Sequence, residues 1–377
     1  MPIEIDRPLI DHHCHGLVPR NLERAAFEKL ISESFVAAPQ GTSHFDAPVG
    51  LVIRAKCAAL LDLEPFPDPD AYLARRAALG AAEVNRRFVQ AGGYGQLLVD
   101  TGFRGGDILT PEGMVEATGV PSREVVRIEA VAERVGRTGV SAAGFARAFA
   151  DALVEAARDA VGLKSIVAYR GGFAFDPGAP SAAEVEAAAG PWLKRMGDGK
   201  GRMDDMTLMR HGLWIAAELA RERGMPIQFH VGYGDRDAKI HLNNPSLLMD
   251  FLQHLDDMGV NATLLHCYPY QREAGYLAEV FPNVYFDVGV ILNYTGAMSA
   301  TILGEALELA PFTKQLYSSD AFGVAEFYYL GAVLFRRALR QHLDRWIADG
   351  FCSVREADRI VAMIAHDNAR RIYPLDR

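Results

Sequence analysis

A single α/β chain folded as a (β/α)8 TIM barrel is what this sequence predicts, on three observations. Short apolar runs rich in β-branched residues alternate with long stretches of helical periodicity, the pattern of repeated βα units around a parallel sheet. Eight such runs can be placed, the number that closes a barrel. Several of the runs end in histidine or aspartate, and a parallel barrel gathers its chemistry at the carboxyl ends of its strands.

The strands are expected at Leu9–His15, Gln96–Gly102, Glu124–Ala130, Leu163–Tyr169, Pro226–Val231, Ala262–His266, Val284–Val288 and Gln315–Asp320. Between them, Ala143–Ala160, Met206–Arg223, Pro245–Met258 and Ala321–Ala348 carry helical spacing and are bounded by Gly, Pro or a capping residue. One connection departs from the pattern. Residues 17–95 separate the first two strands, far beyond an ordinary loop, so the segment must carry structure of its own. It reads as helices at Asn21–Val36, Pro48–Leu63 and Pro69–Ala91, a helical insertion leaving the end of the first strand. A lid over the barrel mouth, a dimer contact and plain surface padding are all open for it.

The length, 377 residues, fits two domains or one barrel with insertions, and the strand pattern selects one domain over residues 1–377. Half of the residues are hydrophobic and the formal net charge is −9, without the clustered positive charge of a nucleic-acid footprint. A small-molecule substrate is therefore the expected partner, with no nucleic acid and no membrane, and a homo-oligomer left open. No apolar stretch has membrane length, and the acidic start from Met1 to Asp6 lacks the regions of a signal peptide, which predicts a cytoplasmic protein. Cys14, Cys57, Cys267 and Cys352 are widely spread with no Cys-X-X-Cys pair, so they are expected to be reduced thiols.

The chemistry begins at Asp11-His12-His13-Cys14-His15. In an extended segment side chains alternate faces, so His13 and His15 point one way while His12 and Cys14 point the other. Two imidazoles on one face can share a divalent ion. Alone, the motif is no more than a histidine-rich turn. However, Pro226-Ile227-Gln228-Phe229-His230 and Thr263-Leu264-Leu265-His266 are apolar runs ending in histidine, and Leu316-Tyr317-Ser318-Ser319-Asp320 ends in aspartate. Together His13, His15, His230, His266 and Asp320 offer nitrogen and oxygen donors from several strands with a position open for water, as in catalytic zinc sites.

On these residues the chain resembles the metal-dependent amidohydrolase superfamily. More narrowly, Gly162-Leu163-Lys164-Ser165-Ile166-Val167-Ala168-Tyr169-Arg170, Gln228-Phe229-His230-Val231-Gly232-Tyr233-Gly234-Asp235 and Tyr317-Ser318-Ser319-Asp320 resemble the branch that, in some larger proteins, precedes a glutamine-synthetase-like domain. No such second domain is expected within this chain. The resemblance implies a (β/α) barrel holding one or two divalent ions, usually Zn2+, and hydrolysis of an amide or ester carbon by a metal-bound water. It also implies that a lysine on the fourth strand, here Lys164, can be carboxylated and bridge two metals. Lys164 has a competing reading as an ordinary lysine paired with a carboxylate, because the residues from Ser165 to Tyr169 set it well below the expected strand end.

The expected roles follow from each residue's chemistry. His13, His15 and His230 hold the ion, and Asp320 takes the water's proton and returns it to the leaving nitrogen. His266 binds a second metal or orients the carbonyl oxygen. Arg170, whose fork matches a carboxylate, is the candidate for an anionic substrate group, against a surface salt bridge. Tyr233 and His241, on the loop after the fifth strand, are candidates to touch substrate, and Asp287 and Asn293 near the seventh have similar standing. His44, His211, His254, His342 and His366 read as solvated or capping residues. Gly105-Gly106 and Gly171-Gly172 lack the following Lys-Ser or Lys-Thr of a nucleotide cradle.

The function expected is metal-dependent cleavage of an amide C–N bond in a small carboxylate-bearing substrate. Relatives with the same ligands that decarboxylate or isomerise sugar acids supply the first alternative, since fold does not fix function. A non-enzymatic metal-stabilised binding protein is the second, and it requires every ligand position to be filled by protein.

Overall fold

The computed structural model describes residues 5–199 and 201–376. They fall into two compact units, each built from separate stretches of chain: Met1–Arg123, Gly234–Arg236 and Asp287–Ala369 in the first, Glu124–Tyr233, Asp237–Phe286 and Arg370–Arg377 in the second. Within each unit the strands are parallel, and their order in the sheet follows the chain.

In the first unit β1 (Leu9–Cys14) pairs with β2 (Tyr94–Asp100), with Ile10 opposite Gln96 and Cys14 opposite Val99. All six residues of β1 are buried, as a strand covered on both faces requires. The expected eighth strand, Gln315–Asp320, is not a regular strand. Its backbone nevertheless runs beside β1: His12 N–H donates to Tyr317 O (3.1 Å), Asp320 N–H to His13 O (3.0 Å) and His15 N–H to Ala321 O (2.8 Å), ending in a parallel bridge between Leu17 and Gly323. The reason for the irregularity is local. Asp320 adopts φ of 46°, in the left-handed region, which breaks the extended repeat.

The stretch from residue 17 to 93 forms helices, but shorter and more broken ones than spacing predicts. Only Arg24–Leu30 of the first expected helix is helical, and Phe35 lies at φ of 52°. Pro48–Val52 continues through a wide turn at Ile53–Cys57 and a tight one at Ala58–Leu61. The third splits into Pro69–Leu79 and Ala81–Gly92 at Gly80, whose φ of 84° ends one helix and opens the next. Arg76 of this stretch forms a buried ion pair with Glu326 (2.8 Å), to which Tyr72 also donates (3.0 Å). Glu326 begins the long helix Ala325–Ala348, expected from Ala321 onwards.

The second unit carries β3 (Ser122–Arg127) from Glu124 onwards, β4 (Gly162–Ser165), β5 (Ile227–His230), β6 (Ala262–Leu265) and β7 (Val284–Phe286). Most of these end sooner than their apolar runs. Ile128 opens the helix Ile128–Gly136, and Val167–Tyr169 coils into a 3-10 turn, so β-branched residues of the expected strands belong to the helix or turn that follows. Lys164 is therefore the next-to-last residue of its strand and not deep within it, a correction that removes the argument against its reaching the strand end. Arg170 likewise closes the 3-10 turn and does not end a strand. Helix Met206–Arg223 has the expected bounds, with Asp205 capping its first turn. Helix Ala142–Ala156 packs Phe145 and Phe149 into the core with Trp192 of helix Ala182–Gly197.

Among the described residues no helix is long and apolar enough to cross a membrane. Among the described residues no disulfide joins Cys14, Cys57, Cys267 or Cys352.

Candidate metal centre

The end of β1 and the segment beside it bring His13, His15 and Asp320 together. The imidazoles meet edge to face with centroids 5.2 Å apart, and both Nε2 atoms face Asp320 Oδ1, at 3.2 Å from His13 and 3.5 Å from His15. His15 Nδ1 lies 2.8 Å from the carbonyl of Asp100. That bond fixes the ring and, with the proton on Nδ1, leaves the Nε2 lone pair facing the cluster, the usual arrangement behind a metal ligand. Donor atoms of His13, His15 and Asp100 lie within 4.8 Å of one another. Two ligand atoms each ~2.1 Å from one zinc ion are at most ~4.2 Å apart, so the cluster closes on an ion with sub-ångström shifts. A set of imidazole nitrogens and carboxylate oxygens therefore fits a divalent cation.

The opposite face of β1 behaves as alternation demands. His12 Nε2 meets Asp287 Oδ2 at 2.9 Å, both fully buried, and Cys14 Sγ points to Leu98 O. Asp287 also accepts from Ser318 Oγ (2.7 Å) and Gly289 N–H (2.7 Å), and Asn293 donates to the carbonyls of Ser319 and Phe327. Both residues, expected near substrate, instead brace the framework. Asp11 accepts from the backbone and hydroxyl of Ser319, and burial pushes its carboxyl up to about 8 despite those bonds. Tyr328 OH donates to His15 O. Around His15 stand Phe103 and Phe322, and Phe35 packs on both.

The second unit holds the other candidates. His230 ends β5, its ring 5.1 Å from that of His266 and 4.3 Å from that of Tyr169. His266 follows β6 at φ of 70°, uncommon for a side-chain-bearing residue and the kind of strain that collects at functional sites. Lys164 is buried and lies opposite Gln228, two residues before His230 and so on the same face. Arg170 is only partly exposed. Tyr233 N–H donates to Tyr268 O (2.7 Å), while His241 is exposed on the turn Ile240–Leu242.

A family profile described as Amidohydrolase matches residues 10–375. The chain belongs to the amidohydrolase family. A metal-dependent hydrolase structure from Lactobacillus casei is 31% identical to this amidohydrolase with a TM-score of 0.83, covering 98% of this chain and 96% of that one. Protein fluG of Emericella nidulans is 28% identical over 98% of this chain and 46% of its own length. The chain thus spans about half the length of the curated relative it matches. A uronate isomerase from Bacillus halodurans, 13% identical, shares the fold with a TM-score of 0.65 over 97% and 93% of the two chains.

Two residues of the amidohydrolase escaped the sequence reading. Asp100 ends β2, inside the expected strand Gln96–Gly102, so the same carboxyl-end logic that singles out Asp320 applies to it. Glu129 was hidden by the overextended third strand. It sits in the first turn after β3, where Oε1 accepts from Ser165 Oγ (2.7 Å) and Ile166 N–H (2.9 Å).

Proposed function

We propose that this amidohydrolase cleaves an amide C–N bond of a small carboxylate-bearing substrate on a closed (β/α)8 barrel, as a cytoplasmic enzyme using Zn2+. The observation that carries the reading is the approach of two histidine Nε2 atoms to one oxygen of Asp320, at 3.2 and 3.5 Å. His13, His15 and Asp100 would hold one ion, and in the second unit His230 and Lys164, the latter if carboxylated, would hold another. A divalent ion there lowers the pKa of water towards ~7 and polarises a carbonyl. Asp320 accepts the proton of the attacking water and returns it to the leaving nitrogen, worth ~10²–10⁴-fold. His266 orients the carbonyl oxygen and Arg170 pairs with the substrate carboxylate. Tyr233 and His241 contact the outer end of the substrate. Phe35, seated on Phe103 and Phe322 beside His15, supports a covering role for the segment after β1.

The test is a screen of amides on zinc-loaded protein for released ammonia or amine. Hydrolysis that disappears in His13→Ala/His15→Ala supports the reading. Products that are isomers of the substrate, or carbon dioxide without amine, replace it with isomerisation or decarboxylation.

A further inference from the structure

Beside His230 the second unit holds polar groups that its own fold leaves unsatisfied. Glu129 is 3% exposed, and its Oε1 is fully used while Oε2 has no partner. Arg170 Nε is buried and also unpaired. The Glu129 charge reaches Arg170, yet no ion pair closes between the two. Asn243 is fully buried with neither side-chain amide atom bonded. Unsatisfied buried groups of this kind each cost about 1–3 kcal/mol, and all three are carried by, or bonded next to, the segment from Ile166 to Phe173.

The backbone holds these groups in place. Ile166 N–H fixes Glu129 to the end of β4, and the 3-10 turn that follows carries Arg170, whose N–H donates to Val167 O (3.0 Å). Next, Phe173 N–H donates to Leu242 O (2.9 Å), and a Cβ on Gly172, at φ of 78°, would stand 2.5 Å from Leu242 Cβ. Only glycine permits this approach, which clamps the turn carrying Arg170 to the loop carrying Asn243. Tyr169, the neighbour of Arg170, stacks on His230. Burial pulls Arg170 below its ordinary pKa and pushes Glu129 above its own, so both charges lack the counter-groups that water would supply.

We propose that Glu129, Arg170 and Asn243 form a recognition subsite for the head of an α-hydroxy or α-amino acid. Arg170 and the Asn243 amide take the carboxylate, and Glu129 Oε2 takes the hydroxyl or ammonium on the adjacent carbon. The inference rests on the reading of a carboxylate-bearing substrate and narrows it to acids with a hydrogen-bond donor beside the carboxylate.

Calorimetric titration of the full chain with 2-hydroxyglutarate, L-glutamate and glutarate tests it without any turnover. The 2-substituted acids should bind about tenfold or more tighter than glutarate. Glu129→Gln keeps an acceptor for Ser165 and Ile166 and should erase that preference, so that the three acids bind alike. Arg170→Met should weaken all three, as should Asn243→Asp, which sets a second carboxylate against the ligand. Equal affinity of the three acids for the unaltered protein overturns the proposal, as does absence of binding or a preference that survives in Glu129→Gln with an unchanged melting temperature. Failure of the amide screen leaves this titration readable, and amide hydrolysis without the preference overturns the subsite alone.

Discussion

Asp320 shares one carboxylate oxygen between two imidazoles, and a single-atom change separates its possible duties. Asp320→Asn keeps the size and one oxygen but removes the basicity. Turnover on an amide found by screening should fall by at least ~10²-fold, with metal content and melting nearly unchanged. A residue serving only as a cap predicts near-native turnover instead, since Asn caps about as well as Asp. Glu33 gives a second readable effect. Burial, with the negative charges of Asp320 and Asp235, pushes its carboxyl up to about 7, against the bond from Tyr294 (3.0 Å). An unfolded glutamate titrates near ~4.3, so between these values the folded state holds a proton that the unfolded state has lost. That stabilisation is complete below the window and vanishes as pH rises through about 7. In metal-stripped protein the melting temperature should therefore fall relative to Glu33→Gln as pH goes from 5 to 8. His13 and His15 were legible because two-residue alternation is a property of any extended backbone. Glu129 was not, because its place depends on where a strand stops, which the apolar run Val125-Val126 through Ile128 does not mark.

At the scale of elements, the segment after β1 is tied down by charge as well as by packing. Arg76 is 3% exposed and Glu326 fully buried, so Arg76→Met would strand a buried carboxylate. Denaturant unfolding should show a loss of about 3–5 kcal/mol. A different measurement tests the covering role of residues 31–36: limited proteolysis with and without a divalent ion. Slower cleavage there on metal loading supports a lid, and unchanged cleavage removes it. The existence of most elements was legible from periodicity, as Met206–Arg223 illustrates. Their interruptions were not. Gly80 and Phe35 break helical spacing through positive φ, and Asp320 breaks the eighth run the same way, in each case under backbone demands that hydrophobic pattern does not carry.

For the whole molecule, ion binding and folding should be coupled. A ligand that binds only the folded state stabilises it by about 2.7 kcal/mol at a hundred times its Kd. Chelator treatment should thus lower the melting temperature, and Zn2+ should restore it in the native protein but not in His13→Ala/His15→Ala. The family was legible because histidine and aspartate close its apolar runs in chain order. The proposed subsite was not, because the turn at Gly172 and the segment at Leu242 meet only in three dimensions.

The pairing of β1 with the irregular segment beside it also bears on how the protein is made. Asp11 and Ser319 are 308 residues apart in the chain, yet Ser319 N–H donates to Asp11 at 2.9 Å. Contacts of such sequence separation form late, and a nascent chain emerges N-terminus first. On the ribosome His13 and His15 appear among the first residues and wait for nearly the whole chain before Asp320 arrives. The meeting of Asp320 with the two imidazoles is thereby a near-terminal event of biosynthesis, and nascent chains arrested before residue 320 should show no turnover on an amide that the full chain cleaves.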